Sequence, residues 1–335
     1  MRQRGVGIPA CRAGNRGDTR ARVSPRGGTR QARVLTPLLI LLAACGHSDR
    51  KKTIDIAVVV KALDSEFWQR LKNGAEQAAR AQPDVKLAVL APEREINIDQ
   101  QVSILEDQIL KRISALAVAP AGVAEILPVL DKAKGAGIPV IVLDTDIDWP
   151  SKLCYIGTDN RLGGRMAGEY IANRLGGRGK VAVIRGVLGV RTHEERLAGF
   201  QQALAAAPAI RCVAVQPANS ERAQGMSVME NLLTTHPDLR AVFATNDQMA
   251  LGAMEAVAAH KLEAQISIVG FDATREAVRA VETGRLAAVV AQNPERMGRA
   301  AVDEAVRAAK HEPVDKRVDT GTALVTQENA ARFLK

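Results

Sequence analysis

From residue 54 onward the chain alternates between short runs of β-branched and other apolar residues and longer amphipathic stretches. The runs fall at 54–60, 85–90, 115–119, 139–143, 180–184, 210–215, 241–244, 266–269 and 286–291. Between them apolar residues recur at helical spacing, as in Phe67, Leu71, Ala75 and Ala78, or Met166, Tyr170, Ile171 and Leu175. Continuous apolar strands separated by helices predict parallel sheets covered on both faces, so the fold class is α/β, doubly wound. About ten strands exceed one ordinary open sheet, and 335 residues suit two domains. The stretch 144–159, with Pro150 and little periodicity, reads as a passage between them.

Composition narrows the class. Apolar residues make up 47% and charged residues 25%, which excludes a disordered chain and a multi-span membrane protein. Aromatics are only 3%, so the core must be Ala, Val, Leu and Ile, and the adjacent Phe67 and Trp68 stand out. The net charge of +9 is local: nine arginines and one acid fall in 1–44, leaving the remainder at +1. A folded part this close to neutral carries no footprint for nucleic acid.

Residues 1–44 read as a signal peptide behind an over-long Arg-rich leader. Arg30 and Arg33 precede an apolar run too short for a permanent span, which ends in Leu42-Ala43-Ala44-Cys45. That tetrapeptide resembles the bacterial lipobox, in which the Cys is acylated and becomes the first mature residue. The expectation is lipidation at Cys45 and a tether to residue 52; the alternative is a buried Cys after an ordinary signal sequence. Cys154 and Cys212 then remain in the exported part, as one disulfide or as two free thiols.

In open α/β sheets ligands sit beyond the carboxyl ends of the strands. Those positions hold Lys61, Ser65, Phe67, Trp68, Asp144, Thr145, Asp146, Asn246, Asp247, Asp272 and Gln292. Carboxylates and amides suit vicinal hydroxyls, and an aromatic face suits the C–H side of a sugar ring. Each position also has a plain structural use, as a helix cap, a turn residue or core. The sequence contains no G-x-x-x-x-G-K-[ST], G-x-S-x-G or H-E-x-x-H, and its five histidines are scattered, so no enzyme, metal or cofactor is expected. Gly177-Arg178-Gly179-Lys180-Val181-Ala182 fits G-x-G-x-x-A formally but precedes its strand, which makes it a helix-to-strand turn.

Ser65-Glu66-Phe67-Trp68, Gly135-Ala136-Gly137-Ile138-Pro139-Val140, Thr158-Asp159-Asn160 with Gly163-Gly164, Arg196 with Gly199-Phe200-Gln201-Gln202-Ala203, Phe243-Ala244-Thr245-Asn246-Asp247, Val269-Gly270-Phe271-Asp272 and Ala291-Gln292 stand in order along the chain. On these blocks the sequence resembles the type I periplasmic sugar-binding proteins of the ribose-binding-protein group, the solute receptors of ABC sugar transporters. The resemblance implies two doubly wound lobes joined by three hinge crossings, with 53–158 plus 293–321 in one and 159–292 plus 322–335 in the other. It implies ligand contacts at Lys61, Ser65, Phe67, Trp68, Asp144, Thr145, Glu194, Ser220, Asn246, Asp272 and Gln292.

Several of these depart from the ribose pattern, which has a small polar residue at Lys61, Asn at Ser65, Arg at Thr145 and Glu194, and an aromatic at Ser220. Losing two guanidiniums predicts an acceptor-rich cleft for another monosaccharide, a polyol such as an inositol, or an amine-bearing sugar. A one-residue shift of the loop 186–192 would put His193 or Arg191 where Glu194 is expected, and Lys61 is alternatively a partner of Asp272. The implied partners are a sugar or polyol, a membrane permease and, through Cys45, the membrane itself, with the protein acting as an extracytoplasmic monomer that meets no nucleic acid. Two rival readings share the fold: a receptor feeding a sensor kinase or chemoreceptor, and a lac-repressor-type regulator, which would carry a helix-turn-helix where this chain has its leader.

Overall fold

The computed structural model describes residues 53–334. The leader over 1–44, Cys45 and the tether to residue 52 lie outside the described residues.

The first half of the chain runs β1 (Ile54–Val59), α1 (Glu66–Arg80), β2 (Val85–Leu90), α2 (Ile98–Leu110), β3 (Ala115–Val118), α3 (Val123–Gly135), β4 (Val140–Leu143) and β5 (Cys154–Gly157). The second half runs α4 (Asn160–Arg174), β6 (Arg178–Arg185), α5 (Arg191–Ala205), β7 (Ala209–Pro217), α6 (Arg222–Thr235), β8 (Leu239–Ala244), α7 (Asp247–Ala259), β9 (Ser267–Asp272), α8 (Arg275–Glu282) and β10 (Ala288–Ala291). Then follow α9 (Pro294–Ala309), β11 (Arg317–Asp319) and β12 (Ala323–Val325). One sheet has the order β11-β5-β4-β3-β1-β2 and is parallel throughout; the other has β12-β10-β9-β8-β6-β7, with only β12 antiparallel. In each the strand order reverses beside the first strand laid down, β1 or β6. That reversal opens a crevice at the carboxyl ends, where neighbouring connections diverge to opposite faces.

Local sequence explains the elements. Strand β1 buries five of its six side chains, and α1 buries Phe67, Trp68, Leu71, Ala75 and Ala78 along one stripe. The cores are aliphatic as composition requires; the largest fully buried side chains of the second lobe are Phe200, Phe243 and Phe271, with Phe200 stacked on Phe243 at 5.0 Å. The passage expected over 144–159 is corrected: it contains β5, a buried four-residue strand between β4 and β11. Leu153-Cys154-Tyr155-Ile156 carries the same short apolar signal as β3 and β4, but it closes a polar stretch with Pro150 and is hidden by it. Cys154 is buried in β5 and Cys212 is exposed on β7, and both are free thiols. Gly176 and Gly177 lie between α4 and β6 and Gly179 is the second residue of β6, all three with positive φ.

The chain crosses between sheets three times: from β5 to α4, from β10 to α9, and from β11 to β12. At the first two crossings the helix packs on the lobe it enters, α4 against α5 and α9 against α1. Glycines on both partners let these helices nearly touch. A Cβ on Gly164 would stand 1.9 Å from the Arg196 carbonyl oxygen, and one on Gly199 would stand 2.0 Å from that of Arg161. Gly298 meets Leu71 and Gly74 meets Glu295 in the same way. Backbone cannot yield as a flexible side chain does, so Gly199→Val is expected to cost at least the roughly 1–3 kcal/mol of overpacking and to lower the melting temperature by several degrees. Gly135→Ala is the control: nothing lies within 4 Å of its Cβ, and an unchanged or slightly higher melting temperature is expected. Thermal unfolding of both variants checks the pair.

Candidate functional site

Gln101 of α2 braces the first sheet's crevice. Its amide donates to the carbonyls of Val60 and Ala119, at 3.1 and 2.9 Å, and its oxygen accepts from Ala121 N–H at 2.9 Å. The chain leaving β1 is therefore held open beside that leaving β3, with Lys61 between them and the cleft. Lys61 is 2% exposed, and its Nζ lies 2.8 Å from Asp144 Oδ2. Asp144 itself follows β4 in left-handed backbone, φ 58°, locked by Tyr155 Oη–H donating to its carbonyl at 2.9 Å. Ser65 is the N-cap of α1 without a side-chain capping bond, so its hydroxyl is free toward the cavity it lines. Phe67 and Trp68 meet edge to face at 4.8 Å, and Trp68 Nε1–H donates to Glu95 at 2.9 Å.

The second lobe contributes Asn246, whose Oδ1 caps α7 by accepting from Met249 N–H at 3.0 Å, while Nδ2 donates to the Ser220 carbonyl at 3.3 Å. Asp272 ends β9 and accepts from Gln292 Nε2 at 2.7 Å. Arg196 of α5 donates to Asn160 at 2.8 Å and to the Thr245 carbonyl at 2.7 Å, lies over the Phe271 ring at 3.7 Å, and approaches Asp272 to 3.7 Å. Burial pushes the Asp272 carboxyl up to about 7, against the pull of Arg196 and Gln292, with Asp144 and Glu95 adding repulsion. Asp247 is also raised, by burial and then by Asp272; it braces the loop by accepting from Thr274 N–H and Oγ1–H.

Backbone strain gathers at this place. Among the described residues eight non-glycines have left-handed φ. Arg112, Lys261 and His311 follow helix C-caps, where that conformation is ordinary. The other five, Asp144, Asn219, Ser220, Asp272 and Ala273, all stand on loops at the cleft. Each costs about 1–3 kcal/mol and persists because its surroundings over-determine it.

Nine of the expected contacts line one cavity of about 150 Å³: Lys61, Ser65, Phe67, Trp68, Asp144, Ser220, Asn246, Asp272 and Gln292. Two do not. Thr145 is buried and donates its hydroxyl to Asp144 Oδ2 at 2.9 Å, supporting the carboxylate instead of facing the cavity. Glu194 pairs with Arg185 on the outer side of α5. One residue along a helix is a 100° turn, and the inward face carries His193, Arg196 and Phe200 instead, a spacing of three and four visible in the sequence. Lys61 pairs with Asp144 and not with Asp272. Arg196 lies inside the cleft and Arg94 and Arg222 at its rim, each engaged with protein partners: Arg196 with Asn160 and the Thr245 carbonyl, Arg94 with Glu221, and Arg222 with Glu255 and Glu276. Across the mouth Arg94 pairs with Glu221, Arg191 donates to Asp148 at 3.0 Å, and Arg275 N–H meets the Glu66 carboxylate at 2.9 and 3.0 Å.

Residues 56–313 match the model of the periplasmic binding protein domain. The ribose import binding protein of Escherichia coli strain K12 is 37% identical over 289 residues, 86% of this chain and 96% of its own length. The D-ribose/D-allose-binding protein of Pseudomonas aeruginosa is 34% identical over 76% of this chain and 84% of its own. A crystal structure of an ABC transporter periplasmic solute binding protein from Actinobacillus succinogenes with bound D-allose superposes with a TM-score of 0.77, at 32% identity over 83% of this chain and 99% of that one. With both sheets, their order and a cleft between them already in place, the chain belongs to the periplasmic binding protein family, as a type I member of the ribose-binding-protein-like group and not an enzyme.

Proposed function

We propose that this protein captures a monosaccharide or polyol in the cleft by hinge closure and hands it to an ABC transporter permease, working as an extracytoplasmic monomer anchored through acylated Cys45. The observation that carries the reading is the convergence of Asp144 from one lobe and Asp272 from the other on a single small cavity beside Phe67 and Trp68. The cavity, about 150 Å³, is far above the roughly 10–15 Å³ needed to admit one water, and polar groups from both lobes line it. The names of the relatives, ribose and allose binders, point to the same class.

Chemistry follows from what each group has left to give. Asp144 Oδ2 is occupied by Lys61 and Thr145, leaving Oδ1 without a protein partner among the described residues; Asp272 Oδ2 is likewise free. A buried acceptor without a partner costs about 1–3 kcal/mol, so a ligand lacking a hydroxyl at either place is rejected. Because the carboxylates sit on different lobes, only the closed form satisfies both, and this differential contact lets ligand shift the population toward closure. The contacts of Arg94, Arg191 and Glu66 across the mouth add to that form.

Thermal-shift measurements over pentoses, hexoses, inositols and amino sugars test the reading, since a ligand bound only by the folded state raises its melting temperature; no shift with any of them overturns it. For a sugar that does bind, Asp272→Ala is expected to weaken binding by ~10²-fold, as charge-assisted hydrogen bonds are worth about 1.5–3 kcal/mol each. Asn246→Asp keeps the α7 cap but sets a carboxylate oxygen against the Ser220 carbonyl, so both its affinity and its melting temperature should fall. Calorimetry measures both.

Proton linkage gives a second check. Between about pH 4 and 7 the folded protein holds a proton on Asp272 that the unfolded chain has released, so the contribution of Asp272 to stability is present below pH 4 and is lost as pH rises through 7. Hydroxyl donors favour the carboxylate, so ligand binding at pH 6 should release protons, read as a dependence of binding enthalpy on buffer ionisation heat that vanishes in Asp272→Asn. Labelled palmitate should enter the mature protein and fail to enter Cys45→Ser.

A further inference from the structure

The second lobe's wall of the cleft contains a line of hydroxyls and an imidazole that neither the hinge nor the carboxylates require. Gly186 N–H donates to Thr245 Oγ1 at 3.0 Å; Thr245 Oγ1 lies 2.9 Å from His193 Nδ1; His193 Nε2 lies 3.2 Å from Ser220 Oγ. One distribution of protons satisfies them all. Thr245 is fully buried, and among the described residues His193 Nδ1 is the acceptor within reach of its hydroxyl. If Nδ1 carried the ring proton, donors from Gly186 and His193 would converge on Oγ1, and the hydroxyl's own hydrogen would be buried without a partner, a full desolvation loss.

The ring proton therefore belongs on Nε2, where it is donated to Ser220 Oγ. Burial together with the positive charges of Arg196, Lys61 and Arg185 keeps the imidazole neutral, as this pattern requires. Ser220 has then accepted from the ring and has its own hydrogen free. It lines the cavity, and both it and Asn219 are held in left-handed backbone, φ 65° and 49°. The ring is fixed from behind too: a Cβ on Gly186 would stand 2.1 Å from Nε2, so only glycine leaves space for it.

We propose that Ser220 is a specificity-determining hydrogen-bond donor, its polarity fixed by the Thr245–His193 relay, and that the ligand sets against it an oxygen used as an acceptor. Such an oxygen is a ring or carbonyl oxygen, or a hydroxyl whose own hydrogen goes elsewhere. The inference rests on the cleft being the sugar site and adds direction to it: the Ser220 side donates, while Asp144 and Asp272 on the other sides accept. A ring enters in the orientation that matches this asymmetry, and an ammonium at the carbon facing Ser220 is excluded, since it has nothing with which to accept.

Two measurements decide it. In long-range ¹H–¹⁵N spectra of the full chain at pH 7.5, with the signals assigned by their loss in His193→Gln, His193 is expected as the neutral Nε2–H tautomer. Thr245→Ser should preserve that tautomer and Thr245→Val should release it. An Nδ1–H tautomer in the unaltered chain overturns the proposal, because Ser220 would then donate to the ring. The second measurement is calorimetry with D-ribose, D-allose and myo-inositol, and with mono-deoxy derivatives of whichever binds. Ser220→Ala should weaken binding about five- to ten-fold, the worth of one neutral hydrogen bond. One deoxy derivative should show that loss with the unaltered chain and not with Ser220→Ala; equal differences in both proteins at every position overturn the assignment. Failure of all three sugars to bind counts against the sugar reading, while the tautomer result still decides the relay.

Discussion

The structure depends on keeping carboxylates at the ends of buried parallel strands with part of their hydrogen-bonding capacity unspent. Asp144 and Asp272 are each nearly enclosed, and each sits in backbone that a non-glycine residue adopts only under constraint. The two lobes solve the problem differently. Asp144 is paired with buried Lys61 at 2.8 Å, whereas Asp272 has Arg196 only at 3.7 Å and a neutral amide at 2.7 Å, so burial raises its pKa. One carboxylate has a close cationic partner and the other, raised to about 7 by burial, does not. The asymmetry makes the first lobe the better prepared half, with the aromatic pair beside it, and the second lobe the half whose charge state responds.

Exchange of two helices between the sheets joins the lobes without loosening either core. Each of α4 and α9 follows a strand of one sheet and packs on a helix of the other, so the crossings are tied down at both ends by backbone-to-backbone contact that glycine alone permits. The hinge closure proposed above would bend the chain at these three short connections instead of within the cores. The cost is sensitivity: a methyl group at Gly164, Gly199 or Gly298 has nowhere to go.

How much of this the sequence carries depends on the length of the feature. Strands buried on both faces and helices of thirteen or more residues declare themselves by period, and the order of polar residues after the strands located most of the cleft. The three-residue β11 and β12 are too short to read, while β5, as long as β3, β4 and β10, is hidden because its apolar run lies at the end of the polar, Pro150-containing stretch 144–159. Thr145 and Glu194 failed for a different reason: each is the sequence neighbour of a residue that does face the cavity, and in a helix or a sharp turn one step reverses direction. Arg196 and His193 share the inward stripe of α5 with Phe200, three and four residues apart, a spacing present in the sequence, where His193 stands as the alternative to Glu194. Gln101, an amide on an otherwise ordinary helix, gives no sign of its role until β1 and β3 are known to be neighbours.

Arg196 shows why these losses are not independent. Its guanidinium spans Asn160, the first residue of α4 beyond a crossing, the carbonyl of Thr245 that precedes the α7 cap, the face of Phe271 and, more distantly, Asp272. A planar fork with five donors can serve all of these at once, which a lysine cannot. The same side chain thus touches the hinge, the relay behind Ser220 and the acceptor expected to receive the ligand. All of these groups lie within the second lobe, so they form one rigid set that holds the polarity of that lobe's wall. Charge that looks like a departure from an acceptor-rich cleft is, in this arrangement, the frame on which the acceptors are hung.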